Sequence, residues 1–210
     1  MKKIVFVFLF IVHASILVAQ IPDSAAKSVN EPWTFSTTAY YYLIPNSQNI
    51  LSLLGYADHK SLHLEARYNY EDLNTASVFA GWRLEAGKNV EFAATPMIGG
   101  IFGQTNGFAP GLELELSYKK FDFYSETEFV IVPENSENNY VYTWLELAIT
   151  PFEHFRTGLS VQRTKLYKGE FDLQRGFLAE YSFWKMTTGV YYFDPFTSGN
   201  FLIFSLKMEF

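Results

Sequence analysis

Taken two residues at a time, the segment LHLEARYNYE (62–71) separates into two rows. Leu62, Leu64, Ala66, Tyr68 and Tyr70 are apolar, while His63, Glu65, Arg67, Asn69 and Glu71 are ionisable or polar. A period of two is the mark of a strand whose faces meet different surroundings. The split recurs down the chain. Leu112, Leu114, Leu116 and Tyr118 oppose Glu113, Glu115 and Ser117. Phe121, Phe123, Thr127, Phe129 and Ile131 oppose Asp122, Tyr124, Glu126 and Glu128, and Leu202, Phe204, Leu206, Met208 and Phe210 oppose Ser205, Lys207 and Glu209. From Trp33 onward no helical period of any length interrupts the pattern.

Turn residues divide this stretch into about twelve expected strands. They cover residues 33–44, 49–58, 61–71, 75–86, 90–103, 108–118, 121–132, 140–150, 155–166, 173–183, 186–194 and 201–210. Each is close to the 9–11 residues that cross a bilayer when tilted. An even count returns both ends of the barrel to one side. On that side the connections (59–60, 87–89, 119–120, 151–154 and 184–185) are mostly shorter than the others (45–48, 72–74, 104–107, 133–139, 167–172 and 195–200). The fold class is therefore all-β, a closed antiparallel transmembrane β-barrel with lipid outside and a polar lumen inside. A soluble sandwich alternates too, but rings gathered near strand ends suit the headgroup level of a membrane. Closure removes the edges that such strands would otherwise expose.

The N-terminus reads as a targeting segment. Lys2 and Lys3 precede an unbroken apolar run, Ile4 to Val12, and Ala14, Ser15 and Ala19 supply small residues toward a cleavage site after Ala19. Residues 1–19 are then a signal peptide, 20–32 a flexible lead-in and 33–210 the barrel. Losing Lys2 and Lys3 moves the formal charge from −6 to −8, which excludes nucleic acid as a partner. The absence of cysteine excludes disulfides, thiolate metal sites and lipidation of the N-terminus. Aromatic residues reach 19% while hydrophobic residues total only 49%, as expected where apolar and polar positions take turns.

With its leader, alternating strands, terminal aromatics and a last segment FLIFSLKMEF, the chain resembles the Gram-negative outer-membrane β-barrel superfamily. That resemblance implies outer-membrane lipid as the surroundings. It also implies recognition by the barrel-assembly machinery through the C-terminal strand, with Phe210 as its signal. The superfamily includes pores, enzymes and structural barrels, so the resemblance leaves activity open.

The inward face carries the chemistry. Its acids are Glu65, Glu85, Glu91, Glu113, Glu115, Asp122, Glu126, Glu128, Glu146 and Glu180; its bases are Arg67, Arg83, Arg156, Lys185 and Lys207, with His63 beside them. In one reading these charges line a narrow pore for small solutes or ions, with cations favoured by the surplus of carboxylates. In the other they pair into ladders that close the lumen of a structural or interaction barrel. Twelve strands lie between the filled eight-stranded and the open sixteen-stranded barrels, so size leaves both standing. A hydrolase would need a nucleophile beside its base. His63 and Glu65 share a face, but no serine is placed with them, and His59 and His154 fall in turns. No catalytic residue is assigned. Glu113/Glu115 and Glu126/Glu128 put paired carboxylates on neighbouring strands, read as a solvated acidic wall, so no metal and no cofactor is assigned. Gly99, Gly100 and Gly103 mark close packing or a bend rather than a phosphate cradle.

Overall fold

The computed structural model describes residues 31–163 and 173–210. The signal peptide and nearly all of the lead-in lie outside the described residues. So do the connection expected at 167–172 and the last three residues of the strand expected at 155–166.

Antiparallel strands follow one another as β1 (Thr34–Leu43), β2 (Ile50–His59), β3 (Leu62–Tyr68), β4 (Thr75–Trp82), β5 (Leu84–Ala86), β6 (Glu91–Gly103) and β7 (Gly107–Tyr118). They continue as β8 (Phe121–Val130), β9 (Tyr140–Phe152), β10 (Phe155–Arg163), β11 (Gln174–Phe183), β12 (Met186–Phe193) and β13 (Phe201–Glu209). β4 and β5 are two halves of one stave. Both pair with β6 in the same register, Gly81 opposite Met97 and Leu84 opposite Ala94. The gap at Arg83 falls against the stretch of β6 that contains Pro96, which has no N–H to give to the ladder. The Arg83 N–H turns the other way and donates to Ser61 O at 2.7 Å. Twelve staves result, and β1 pairs with β13, from Ser36 opposite Glu209 to Leu43 opposite Leu202, to close the barrel.

The two ends differ as the segment lengths predict. At the end carrying Thr34 and Glu209, called here the turn end, β2–β3, β7–β8, β9–β10 and β11–β12 are joined by two-residue turns. Each of these holds one residue at positive φ: Lys60, Lys119, His154 and Trp184. At the opposite, loop end the connections run longer, and the one between β8 and β9 folds into a single 3₁₀ turn at Ser136–Asn138.

Outward positions are apolar along the staves, with Leu51, Leu53, Val78, Ile98 and Leu147 exposed mid-strand. Rings mark both borders of this band. Trp33, Trp82, Tyr118, Phe121, Phe152, Tyr181 and Trp184 gather at the turn end, and Tyr41, Tyr68, Phe102, Phe108, Phe129 and Phe177 toward the loop end, all exposed. An apolar band between two aromatic belts is the exterior that lipid requires. Phe210 continues this outward row, and its N–H donates to Phe35 O at 2.9 Å.

Two expectations need correction. The strand expected to run to Glu71 ends at Tyr68. Asn69 takes a positive φ of 54°, its N–H reaches Thr75 O at 2.9 Å, and its Oδ1 accepts from the Asn74 N–H at 2.7 Å. That local bend breaks the period of two, so Tyr70, Glu71 and Asp72 all tuck into the barrel mouth and are buried. Tyr70 therefore leaves the lipid-facing row. The second correction concerns the lumen, which is not polar throughout. Its loop half is filled by Tyr42, Ile50, Ile101, Tyr140, Tyr142, Trp144, Phe193, Phe201 and Ile203, all buried and in one cluster.

Candidate functional site

The interior of the turn half is a chamber of about 730 Å³, lined by residues of eleven strands together with Lys60, Tyr70 and Arg83. Seven carboxylates (Asp58, Glu85, Glu113, Glu115, Asp122, Glu146 and Glu180) face four permanent cations (Lys60, Arg83, Arg156 and Lys207) and His63. Its deep wall is formed by Tyr40, Tyr70, Trp144 and Tyr191, where the packed loop half begins.

Each arginine is held by several acids. At the rim the Arg83 guanidinium grips Glu115 at two points, Nη1 to Oε1 at 2.5 Å and Nη2 to Oε2 at 3.0 Å, while its Nε donates to Glu85 Oε1 at 2.9 Å. Across the chamber Arg156 donates to Asp122 Oδ1 from Nε (2.9 Å) and Nη2 (2.5 Å), and from Nη1 to Glu146 and Glu180, both at 2.7 Å. Glu146 also accepts from the Trp144 indole N–H at 2.8 Å, and the Tyr191 hydroxyl lies 3.0 Å from Glu146 and 2.8 Å from Glu180. Fork-shaped donors with paired acceptors of this kind fix direction as well as charge.

Arg67 lies deeper and its side chain is fully buried. Its guanidinium meets four glutamates: Glu65, through Nε at 2.5 Å and through Nη2; Glu128 at 2.5 Å; Glu126 at 2.8 Å; and Glu71 at 3.2 Å. It is sandwiched between the Phe79 and Tyr70 rings, 4.3 and 4.9 Å from their centroids. Phe79 can lie there because Gly99 has no side chain; a Cβ on Gly99 would stand 2.5 Å from the ring. That is the close packing expected of this glycine. One cation for four enclosed carboxylates is an unbalanced set, and His63 and several hydroxyls add donors to it. The Tyr70 hydroxyl donates to Glu126 at 2.8 Å and Ser77 to Glu71 at 2.6 Å, while the Tyr124 hydroxyl stands 2.8 Å from Glu113 and 3.2 Å from Glu126.

His63 sits between these groups. Its Nδ1 is 2.6 Å from Asp58 Oδ1, its Nε2 2.7 Å from Glu65 Oε1 and 3.7 Å from Glu113 Oε2. No serine or threonine hydroxyl bonds to His63 among the described residues, so the geometry adds no nucleophile to the histidine.

Of the residues expected on the inner face, His63, Glu65, Arg67, Glu113, Glu126 and Glu128 form one connected network, and Glu146, Arg156 and Glu180 a second. Arg83 and Glu115 form a third with Glu85, and Lys207 pairs near the rim with Glu209 at 3.2 Å. Lys185 is the exception. It occupies the two-residue turn between β11 and β12, exposed, where its carbonyl accepts from the Glu209 N–H at 2.9 Å. Alternation cannot place a residue that belongs to neither strand. Glu71 and Tyr124, from the polar rows, also belong to the networks, and so does Tyr70, which the period had put on the apolar side.

No family model matches the chain, and no curated protein matches it in sequence. Its fold does match solved structures. A KdgM porin superposes with a TM-score of 0.61 over 83% of this chain and 99% of its own, at 12% sequence identity. A KdgM porin in complex with disordered oligogalacturonate superposes with a TM-score of 0.58, with the same coverage and identity. The chain has the porin-type barrel fold. At this identity the likeness carries architecture and leaves the solute to be argued from the lining.

Proposed function

We propose that the protein is an outer-membrane channel of low conductance for small cationic solutes. It is exported by a cleaved leader (1–19) and stands with its turn end in the periplasm. The observation that carries this is the chamber, where seven carboxylates oppose four permanent cations and His63 inside a closed barrel. Enclosed acids of this number favour positive guests and repel anions. Oligogalacturonate, the ligand of one of the similar porins, is a chain of acidic sugars, so this lining calls for a different class of solute. Glu113, Glu115, Glu146 and Glu180 are the residues expected to set selectivity.

The packed loop half favours a second reading, a barrel whose chamber is a dead end and whose network serves to stiffen it. Single-channel recording of the refolded protein in a planar bilayer under a salt gradient separates the two. Discrete small steps with a cation-selective reversal potential support the channel. Silence from a barrel shown to be folded by heat-modifiable gel migration overturns it in favour of the closed barrel.

A further inference from the structure

We infer that His63, Glu65 and Glu113 form a site for one zinc-class divalent cation on the wall of the chamber. The first ground is the donor set. One imidazole nitrogen and one oxygen from each of two glutamates lie within 4.8 Å of one another, with His63 Nε2 2.7 Å from Glu65 Oε1 and 3.7 Å from Glu113 Oε2. A cation about 2.0–2.2 Å from each of three tetrahedral donors sets them roughly 3.4 Å apart, between the two spacings found here.

The second ground is independent of the first. Every one of the three ligands is held through its other polar atom by a neighbouring group. Asp58 engages His63 Nδ1 at 2.6 Å, Arg67 Nε donates to Glu65 Oε2 at 2.5 Å, and the Tyr124 hydroxyl donates to Glu113 Oε1 at 2.8 Å. A carboxylate behind a histidine, and hydrogen bonds behind ligating carboxylates, are the outer layer that orients metal ligands. What these partners leave over is one atom of each residue, all within 4.8 Å of one another. Glu113 Oε2 in particular accepts no hydrogen bond from any described residue, on a side chain only 6% exposed.

The third ground is charge and access. Around His63 and Arg67 stand Asp58, Glu65, Glu71, Glu113, Glu126 and Glu128, and a divalent cation would offset that excess. His63 and Glu113 both line the chamber, so an ion reaches them from solvent, and the fourth position is left to water or a solute oxygen. One nitrogen with two oxygens suits zinc and its transition-metal congeners. Calcium and magnesium prefer all-oxygen shells, which the imidazole nitrogen here does not supply. The sequence expectation assigned no metal; Asp58 and His63 meet within one hairpin, but Glu113 arrives from β7, an approach that no period reveals. It stands apart from the channel proposal, since a closed barrel could hold the ion equally well.

The test is titration of the refolded full chain with Zn²⁺ by calorimetry, and with Co²⁺ by its visible absorption. Both are done in a His59→Ala/His154→Ala background that removes the two other described histidines. One saturable Zn²⁺ per barrel, with Co²⁺ bands of a four- or five-coordinate ion, is expected. Glu113→Gln should weaken binding at least about tenfold and Asp58→Asn by about tenfold, while Glu115→Gln leaves it unchanged. Absence of saturable uptake overturns the site. Uptake unchanged in Glu113→Gln or Asp58→Asn, either one confirmed folded by gel migration, overturns it equally.

Discussion

The two halves of the barrel interior are built from the same alternating strands and are filled differently. In the turn half the inward residues are acids and arginines around a chamber that admits water; in the loop half rings and branched aliphatics pack beside the buried Arg67, Glu71 and Glu128 and the amides of Gln162 and Gln174. β9 shows the change within a single strand. Tyr140, Tyr142 and Trp144 point into the packed half and Glu146 into the charged one. Its outward row, Val141, Thr143, Leu145 and Leu147, serves lipid without a matching change of character. The lesson is that lipid dictates only one of the two rows. The inner row is free to be a core or a chamber, whichever its neighbours across the barrel can pair with.

Three substitutions sharpen this contrast. Arg67→Met should have the largest effect, because it strands four buried glutamates at the boundary between the halves. A loss of about 3–5 kcal/mol is expected from removing one partner of such a set, read as a lower urea midpoint in vesicles. An unchanged midpoint would mean the glutamates are balanced by something other than Arg67. Trp144→Ala comes next. It removes the largest ring of the boundary layer, should cost about 3 kcal/mol, and should raise unitary conductance if the layer is what narrows the path. A stable variant with unaltered conductance would place the constriction elsewhere. Glu115→Gln is the smallest. Its side chain is 41% exposed and its partner Arg83 is at the rim, so stability should shift by less than about 0.5 kcal/mol. Cation preference in reversal-potential measurements should fall measurably all the same. No shift would confine selectivity to the deeper acids.

Much of the barrel was legible because lipid enforces the period of two on nearly every stave. Strand limits, the closed architecture, the short and long connections and the inward position of twelve of the thirteen charged candidates follow from it. What the period could not convey was the depth at which each inward residue sits, or which residues meet across the lumen. Asp58 and His63 face each other across the β2–β3 hairpin, but Glu113 lies on β7, and only the curvature of the barrel brings it to them. The packed half did leave a trace. At 39–44 (AYYYLI), 190–193 (VYYF) and 201–204 (FLIF) the alternation lapses into unbroken apolar runs. Such runs mark strands buried on both faces, and here they flag a filled lumen. Lys185, Tyr70 and Asp72 escaped for another reason: turns and bends are set by backbone dihedrals, which a pattern of hydropathy does not encode.

The pairing of β1 with β13 has a consequence for how the molecule comes into being. These two strands are joined along eight residue pairs, yet they are separated by the whole length of the barrel in sequence. Without residues 201–209 the remaining strands can form only an open sheet, with β1 and β12 as bare margins. Closure therefore depends on the last strand in the chain. While the sheet is open, the β13 of a neighbouring copy is a chemically identical clasp, so the speed of closure decides between a ring and a tangle.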